Sequence, residues 1–509
     1  MSSPGGARGP GGSARLALAY PFLFALFPPL ALYAHNQRLY RLPELVLPLL
    51  LTLALTGLVY LAAALLWKDP HERAFRVFAV VFCFHLSGHA ASHFGGLPVD
   101  VLGRGVDLGL LAGWGVGLLG LGLLACRLPA EGVKVTRALA LFSAVLFGMQ
   151  AARIAGLEAE RLARGDLDFG GGVWSAVRSV PPAEAPHIFY VVLDSYARQD
   201  VLAEEYGLDN SPFLDALRER GFFVASRSES NYPATVSSLT SALNMSYLDE
   251  ISASVRLDGD LWVASRAIGH NLVARILREK GYSFVAFANG IGITEAGEAD
   301  VFLDVEHAPA VDSKFFQTMV GLTPLRGLRL GRKVGRERIE GLHRARVLHA
   351  LETAPRLAGS KAPVFALVHV VCPHGPFVFD AEGNLPARPP SGGAEVMRAY
   401  AAQVTYLNRR VLQMVDEIRA ASPRPVVIVL QGDHGTNPGA DWNDLDAPLG
   451  PHRMKILNAY LFPDRQYGRL SDTITPVNTF RVVLSQYLGL DIPLLPDRRS
   501  GGRANVTPP

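Results

Sequence analysis

His187-Ile188-Phe189-Tyr190-Val191-Val192-Leu193 runs without a break into Asp194-Ser195. The run has the length of a strand and lacks the polar alternation of a sheet with one wet face. It reads as a strand covered on both sides, and such strands belong to α/β sheets with helices packed on both faces. Ligand groups in these sheets collect at the carboxyl ends of the strands, and this strand ends on an acid. Taken alone, Asp194 is as good a helix cap as a metal ligand.

Downstream the pattern repeats. Asn210-Ser211-Pro212 opens a helix that Gly221 closes, and residues 222–225 form a short strand. Residues 270–280 read as helix and 282–287 as a strand ending at Asn289-Gly290. A second buried strand, 363–371, carries His369 and runs into Cys372-Pro373-His374-Gly375-Pro376-Phe377. A long helix over 395–420 precedes a third, 425–430, which ends in Gln431-Gly432-Asp433-His434-Gly435. Residues 454–462 have strand character and 475–488 close the domain as a helix. An α/β/α domain with a largely parallel central sheet is therefore expected over 187–490, with a flexible tail over 491–509. Residues 312–360 are basic and helical or irregular; a lid and a segment resting on a membrane fit them equally.

The chemistry centres on Asn231-Tyr232-Pro233-Ala234-Thr235-Val236-Ser237-Ser238-Leu239-Thr240-Ser241-Ala242-Leu243-Asn244. The proline ring pushes Tyr232 out of the α region. A helix then starts just beyond, with Thr235 at or near its N-cap and the hydroxyl free to face a site. Bare N–H groups and the macrodipole at a helix start suit an anion such as phosphate. An ordinary capped helix gives the same pattern; Asp194 and the 431–435 turn favour a nucleophile. Asp433 and His434, side by side in a glycine-flanked turn, can reach one divalent cation, and glycine lets the backbone come close. His374, between two prolines, fits contact with a phosphate oxygen or protonation of a leaving group, and equally a surface-loop histidine. Together, Asp194, Thr235, Asp433 and His434 suit in-line displacement at a tetrahedral centre. A divalent cation would make the threonine alkoxide available and offset charge on the phosphoryl oxygens.

The first third of the chain differs in kind. Residues 1–13 are Gly/Ser/Pro-rich and read as a disordered tail. Five apolar stretches follow, 14–34, 44–67, 74–93, 106–126 and 135–154, each near the ~20 residues that cross a bilayer. Arg8, Arg15, Lys68, Arg73, Arg76, Arg127, Lys134 and Arg137 outweigh Arg38, Arg41 and Arg104 on alternate sides. The more basic side should be cytoplasmic, and five crossings then put everything after residue 154 outside. Residues 155–186 read as a linker with Gly170-Gly171-Gly172 and Pro181-Pro182. His85, His89 and His93 share one helix face; polar packing near an interface explains them better than an ion, because three ligands on one helix do not converge. The net charge of +3 over 509 residues gives no reason to expect nucleic acid, and Cys83, Cys126 and Cys372 form no disulfide framework or paired metal motif.

The Val191-Val192-Leu193-Asp194 strand end, the Thr235 loop, the His369-to-His374 segment and Gly432-Asp433-His434-Gly435 occur in an order that resembles the alkaline phosphatase and sulfatase superfamily. Within it the chain is similar to membrane-bound bacterial members such as lipoteichoic acid synthases and phosphoethanolamine transferases. The resemblance covers about residues 186–490 and, in layout, the five-helix prefix. It implies Asp194, Asp433 and His434 as ligands of one Zn²⁺ or Mn²⁺, with Thr235 forming a covalent phospho-enzyme and His374 contacting the substrate phosphate. His452 or Arg453 would supply a later basic position, and Asn289 is a further substrate-binding candidate. Sulfatases carry a Cys/Ser-x-Pro-x-Arg motif; Thr235, Ser237 and Leu239 stand at its three fixed positions and argue against sulfate-ester hydrolysis. Asp194 is single where many sulfatases pair two acids, and phospholipid-using transferases often have Glu there, so the substrate stays open. The expected protein is a multi-pass enzyme of a bacterial inner (cytoplasmic) membrane with an extracytoplasmic catalytic domain. It would pass a phospho-linked alcohol, phosphoethanolamine or phosphoglycerol, from a membrane lipid donor to a glycan or lipid acceptor. A hydrolase of the same superfamily and a catalytically silent membrane scaffold are the alternatives.

Overall fold

The computed structural model describes residues 18–36, 42–93, 98–101, 104–107, 132–163, 185–254, 261–305, 314–323, 329–438 and 450–498. The expected tail 1–13, the expected span 106–126 past residue 107, most of the expected linker and the chain beyond 498 lie outside these residues. The chain divides into two compact units, residues 1–165 with 308–339 and residues 166–307 with 340–509.

The first unit contains α1 (Tyr20–Asn36), α2 (Val46–Leu66), α3 (Pro70–His93), α4 (Gly132–Ala163) and an antiparallel hairpin of β1 (Pro98–Val101) and β2 (Arg104–Asp107). Among the described residues, Val46–Leu66 and Gly132–Gly156 are long and apolar enough to cross a membrane, against the five spans expected. The other two described stretches fall short for visible reasons. α1 has 17 residues and Pro28-Pro29 inside it, and the first turns of α3 carry His71, Glu72, Arg73 and Arg76. The two apolar helices are built inside out. α2 exposes Leu50, Leu58, Leu61 and Leu65 while burying Thr52 and Thr56, and α4 exposes Leu141, Val145 and Met149 while burying Thr136 and Ser143. Large apolar groups outside and small or polar ones inside suit hydrocarbon surroundings rather than water. Residues 155–163 continue α4. His85 packs edge-on against Phe84; the side chains of His89 and His93 lie outside the described residues.

The second unit is an α/β sandwich. Its strands are β3 (His187–Leu193), β4 (Phe223–Val224), β5 (Ser283–Phe287), β6 (Val301–Leu303), β7 (Val364–Val370), β8 (Val426–Gly432) and β9 (Asn458–Leu461), in the spatial order β4-β9-β8-β3-β7-β5-β6. The five strands from β8 to β6 are parallel, while β9 and β4 join antiparallel. The sheet is thus mixed: β9, from the segment 454–462, runs against the other strands, and β4 pairs along its outer edge. Phe189, Val191 and Leu193 enter one apolar cluster, Ile188, Tyr190 and Val192 another. Both faces of β3 are covered, which is why its sequence shows no alternation.

The helices of this part of the chain are α5 (Gln199–Tyr206), α6 (Ser211–Glu219), α7 (Thr235–Asn244), α8 (Leu248–Ser254), α9 (Leu261–Gly269), α10 (Leu272–Glu279), α11 (Lys314–Gly321), α12 (Arg329–Leu357), α13 (Gly393–Ala421) and α14 (Pro476–Leu488). α11 belongs to the first unit: Phe315 is buried with Leu30, Tyr33, Ala34, Leu45 and Ile154. α12 from residue 340 onward belongs to the second. Val347, Ala350, Leu351 and Ala354 bind that part into the core. The undecided segment 312–360 is therefore shared between the two units.

Candidate functional site

β3 and β8 are neighbours in register, so their carboxyl ends deliver Asp194 and Asp433 side by side, both fully buried. Ser195 turns the chain between them. Its φ of 62° is left-handed for a residue with a side chain, a conformation that costs on the order of 1–3 kcal/mol. The turn lets the Ser195 N–H donate to Asp433 Oδ1 (2.9 Å) while Ser195 Oγ donates to Asp194 Oδ1 (3.2 Å). Burial would raise the Asp194 carboxyl. Nearby His374, a hydrogen bond from His369 and the neighbouring His434 together hold it well below the usual carboxylate range.

His434 follows Asp433 in a turn that only glycine permits, since a Cβ on Gly435 would run into the backbone oxygens of His452 and Lys455. Its Nδ1 lies 2.9 Å from the Gly435 carbonyl, to which it donates. Nε2 is then the lone-pair nitrogen. It sits 3.2 Å from Thr235 Oγ1, 3.3 Å from Asp433 Oδ2 and 3.9 Å from Asp194 Oδ1. Burial, then the neighbouring Arg453, pushes the His434 imidazole below its ordinary value, which keeps it neutral and ligand-like.

Thr235 is the first helical residue of α7; the extended Ala234 holds the N-cap position and its carbonyl accepts from Ser238 N. The hydroxyl of Thr235 is thus free of capping duty and faces His434. Ser238, one turn on, donates to the Asp433 carbonyl at 2.6 Å and ties the helix start to the β8 turn.

The remaining expected residues fall into distinct places. Arg453 donates to the Pro233 carbonyl (2.8 Å), the Gly435 carbonyl (3.3 Å) and His434 Nε2 (3.1 Å). It braces the threonine loop against the turn that carries His434. His374 follows the cis Cys372–Pro373 bond and precedes the cis Gly375–Pro376 bond. Its N–H donates to the Asp194 carbonyl, and Gln403 of α13 clamps the carbonyls of Pro373 and His374 at 3.1 Å each. His452 is turned to Glu205 on α5 (3.0 Å). Asn289 reaches the site through another residue: its Nδ2 donates to His369 Nδ1 at 2.8 Å, with its oxygen fixed by Ile291 N at 2.7 Å. His369 in turn presents Nε2 to Asp194 Oδ2 at 3.3 Å.

His369, which the sequence places on a buried strand without a role at the site, joins these residues. Asp194, His369 and Asp433 offer ligand atoms within 4.8 Å of one another, all buried. The signal was present, a histidine on a buried strand beside the one ending in Asp194, but strand histidines are usually structural.

The donor set fits a divalent cation. Asp433 Oδ2 is buried and has no hydrogen-bond partner among the described residues. Most buried carboxylate oxygens are paired, and one that is not leaves room for an ion or a water. Around the His434 lone-pair nitrogen stand the Thr235 hydroxyl and two carboxylates, within 3.2 to 3.9 Å, the donor types of a Zn²⁺- or Mn²⁺-type centre.

The sulfatase family model matches residues 186–467, more than half of the chain. No curated protein sequence matches. Solved structures that resemble the chain include the periplasmic domain of EptC from Escherichia coli, at 15% identity over 63% of this chain and 86% of that one, TM-score 0.41. Lipooligosaccharide phosphoethanolamine transferase A (EptA) from Neisseria meningitidis is an integral membrane protein, at 13% identity over 94% and 96%, TM-score 0.41. A protein in the alkaline phosphatase superfamily from Vibrio parahaemolyticus has 16% identity over 64% and 73%, TM-score 0.40. Likenesses of this size carry no argument about activity.

Proposed function

Because the chain belongs to the sulfatase family and is an enzyme of phospho- or sulfo-group transfer or hydrolysis, we propose that it transfers a phospho-linked alcohol from a membrane lipid to a cell-envelope acceptor through a covalent Thr235 intermediate. The observation that carries this reading is the Thr235 hydroxyl, 3.2 Å from the lone-pair nitrogen of His434 at the start of α7. A threonine stands where sulfate-ester chemistry needs an oxidisable Cys or Ser.

Asp194, Asp433 and His434 would hold the cation, with His369 beside them. When bound, it would lower the pKa of the threonine hydroxyl and offset charge on the phosphoryl oxygens. The rest falls to the chain. The bare N–H groups of the first turn of α7 face the transferred anion. Thr235 gives its hydroxyl proton to solvent, its Oγ bonds to phosphorus, the bond to the lipid oxygen breaks, and His374 gives that oxygen a proton that it regains from solvent. An acceptor hydroxyl then takes the group from Thr235. Phosphoethanolamine and phosphoglycerol are the groups proposed.

A lipid donor must be met at the bilayer. The reading therefore includes a membrane domain over 14–154 with five crossings, of which α2 and the first 25 residues of α4 are the described ones able to span. A linker over 155–186 would lead to an extracytoplasmic catalytic domain over 187–490, in a bacterial inner membrane.

Intact-mass measurement of full-length protein incubated with mixed micelles of phosphatidylethanolamine and phosphatidylglycerol tests this. An adduct on Thr235 is expected, its mass naming the group. Turnover should fall by about 10³-fold or more in Thr235→Ala. Undiminished turnover in that variant would end the proposal.

A further inference from the structure

His343 lies on α12, in the segment whose sequence left its role undecided. Its ring is hydrogen-bonded to the backbone of Val371, three residues before His374. The residues beside it fix the helix over the same edge of the sheet. Arg344 donates to the carbonyls of Val378 (3.0 Å) and Gly383 (2.8 Å) on the far side of His374, with its guanidinium over Phe379. Arg346 pairs with Asp304 at 2.9 Å, and its guanidinium packs so closely on Gly290 that a Cβ there would sit 2.9 Å from Nη1. One turn of α12 is thus tied to the loop that carries His374 and to the turn that carries Asn289.

The other ring nitrogen of His343, Nε2, is buried and has no hydrogen-bond partner among the described residues. Folded proteins avoid such atoms unless a ligand, water or reaction claims them. Asp194 and His374 are near enough for their charges to act on this ring. Burial, reinforced by the charge of His374, pushes the imidazole down to about 4. A neutral ring that donates through Nδ1 presents a lone pair at Nε2. That atom suits an O–H group and is wrong for an anionic phosphoryl oxygen.

We propose that His343 Nε2 binds the hydroxyl that receives the transferred group and takes its proton. The proposal rests on the covalent Thr235 reading and assigns the second half of that reaction. The acceptor O–H bond breaks as its proton passes to Nε2, and the acceptor oxygen bonds to phosphorus. The bond from phosphorus to Thr235 Oγ breaks, its electron pair stays on Oγ, and the proton from the imidazolium returns there through solvent. Both groups are restored. The ligand class is an alcohol hydroxyl, with water as its hydrolytic counterpart.

The test separates the half-reactions. Full-length protein in mixed micelles is charged with fluorescent phosphatidylethanolamine and phosphatidylglycerol. Release of fluorescent diacylglycerol reports adduct formation, and intact mass follows adduct decay after a chase with glycerol or with buffer alone. In His343→Phe, formation should stay within about twofold of native while decay slows roughly 10²-fold, the scale of a lost general base. His343→Gln keeps an acceptor oxygen but no base, so it should recover KM for glycerol without recovering kcat. Rescue in the glycerol arm alone identifies an alcohol site; equal slowing in both arms identifies a hydroxyl site that also serves water. Native decay rates in both variants would overturn the proposal. So would parallel loss of both half-reactions together with metal content, which would make His343 a brace. A native protein that forms no adduct on Thr235 overturns the underlying reading instead.

Discussion

The strands of the central sheet end in two different ways. At the amino end His187 uses both ring nitrogens on neighbouring backbone: Nε2 donates to the Ser360 carbonyl (3.2 Å) and Nδ1 accepts from Val364 N (3.0 Å). Arg424 beside it donates to the carbonyls of Lys361 (2.7 Å) and Ala185 (3.2 Å); Tyr282 Oη there has no hydrogen-bond partner among the described residues. At the carboxyl end, and on the segments packed over it, Asp433 Oδ2, His343 Nε2 and His452 Nδ1 have no hydrogen-bond partner among the described residues, and Ser195 is strained. The same strands carry both ends, so the sheet does not require the difference. Closed polar groups hold a fold together; open ones weaken it and persist where a ligand completes them.

The sharpest way to break this contrast is Asp433→Asn. It keeps the shape but removes a charge and one acceptor facing the proposed cation. Metal content by elemental mass spectrometry should fall to background and turnover by about 10³-fold. Stability in chelator should not fall, because two adjacent buried carboxylates no longer repel. Chelation of the native protein should lower its Tm, by the loss of ~2.7 kcal/mol if free metal stands at about a hundred times Kd. A destabilised apo variant would mean that Asp433 is a structural acid.

Gly435→Ala strikes the same end through the backbone. The added methyl group meets two carbonyl oxygens, so the turn must shift and carry His434 with it. A cost of about 1–3 kcal/mol in chemical denaturation is expected, with turnover down by ~10²-fold.

His187→Ala tests the closed end. It leaves the Val364 N–H buried without its acceptor, at about 1–3 kcal/mol, plus the loss of packed volume. Turnover per folded molecule should remain within about twofold. A large loss of kcat would show that the two ends are not separable.

The contrast also marks what could be read from the sequence. Strand ends were legible, because an unbroken apolar run that stops on Asp194, or three residues before Asp433, states its own geometry, and the turn around Gly435 needs glycine for a steric reason. Thr235 was legible because Pro233 fixes where α7 starts. His369 was half legible: its strand was placed, but its register beside Val192, which brings it to Asp194, depends on pairing between segments far apart in sequence. His343 was not legible at all. α12 shows no clean amphipathic stripe, since it belongs to one unit for its first turns and to the other afterwards. Of the five spans expected in the first unit, the described residues carry two long and apolar enough to cross a membrane; Pro28-Pro29 in α1 and the charged start of α3 are features that hydropathy alone does not weigh.

Acid should expose the two ends by different amounts. Burial, more than any other cause, holds His187 below its ordinary value, and His343 lies at about 4. The unfolded chain therefore takes up these protons first, near pH 6.5. Stability is complete above that pH and is lost as pH falls, through about 4 for His343. Each histidine contributes at most ~1.4 kcal/mol per pH unit while only the unfolded form is protonated. Denaturant titrations in chelator between pH 7 and 4 measure this slope. His187→Gln should remove its share without altering the pH dependence of adduct decay. His343→Phe should remove its share and flatten the acid limb of that decay. Equal effects of both variants on the decay profile would erase the distinction between a closed end and an open one.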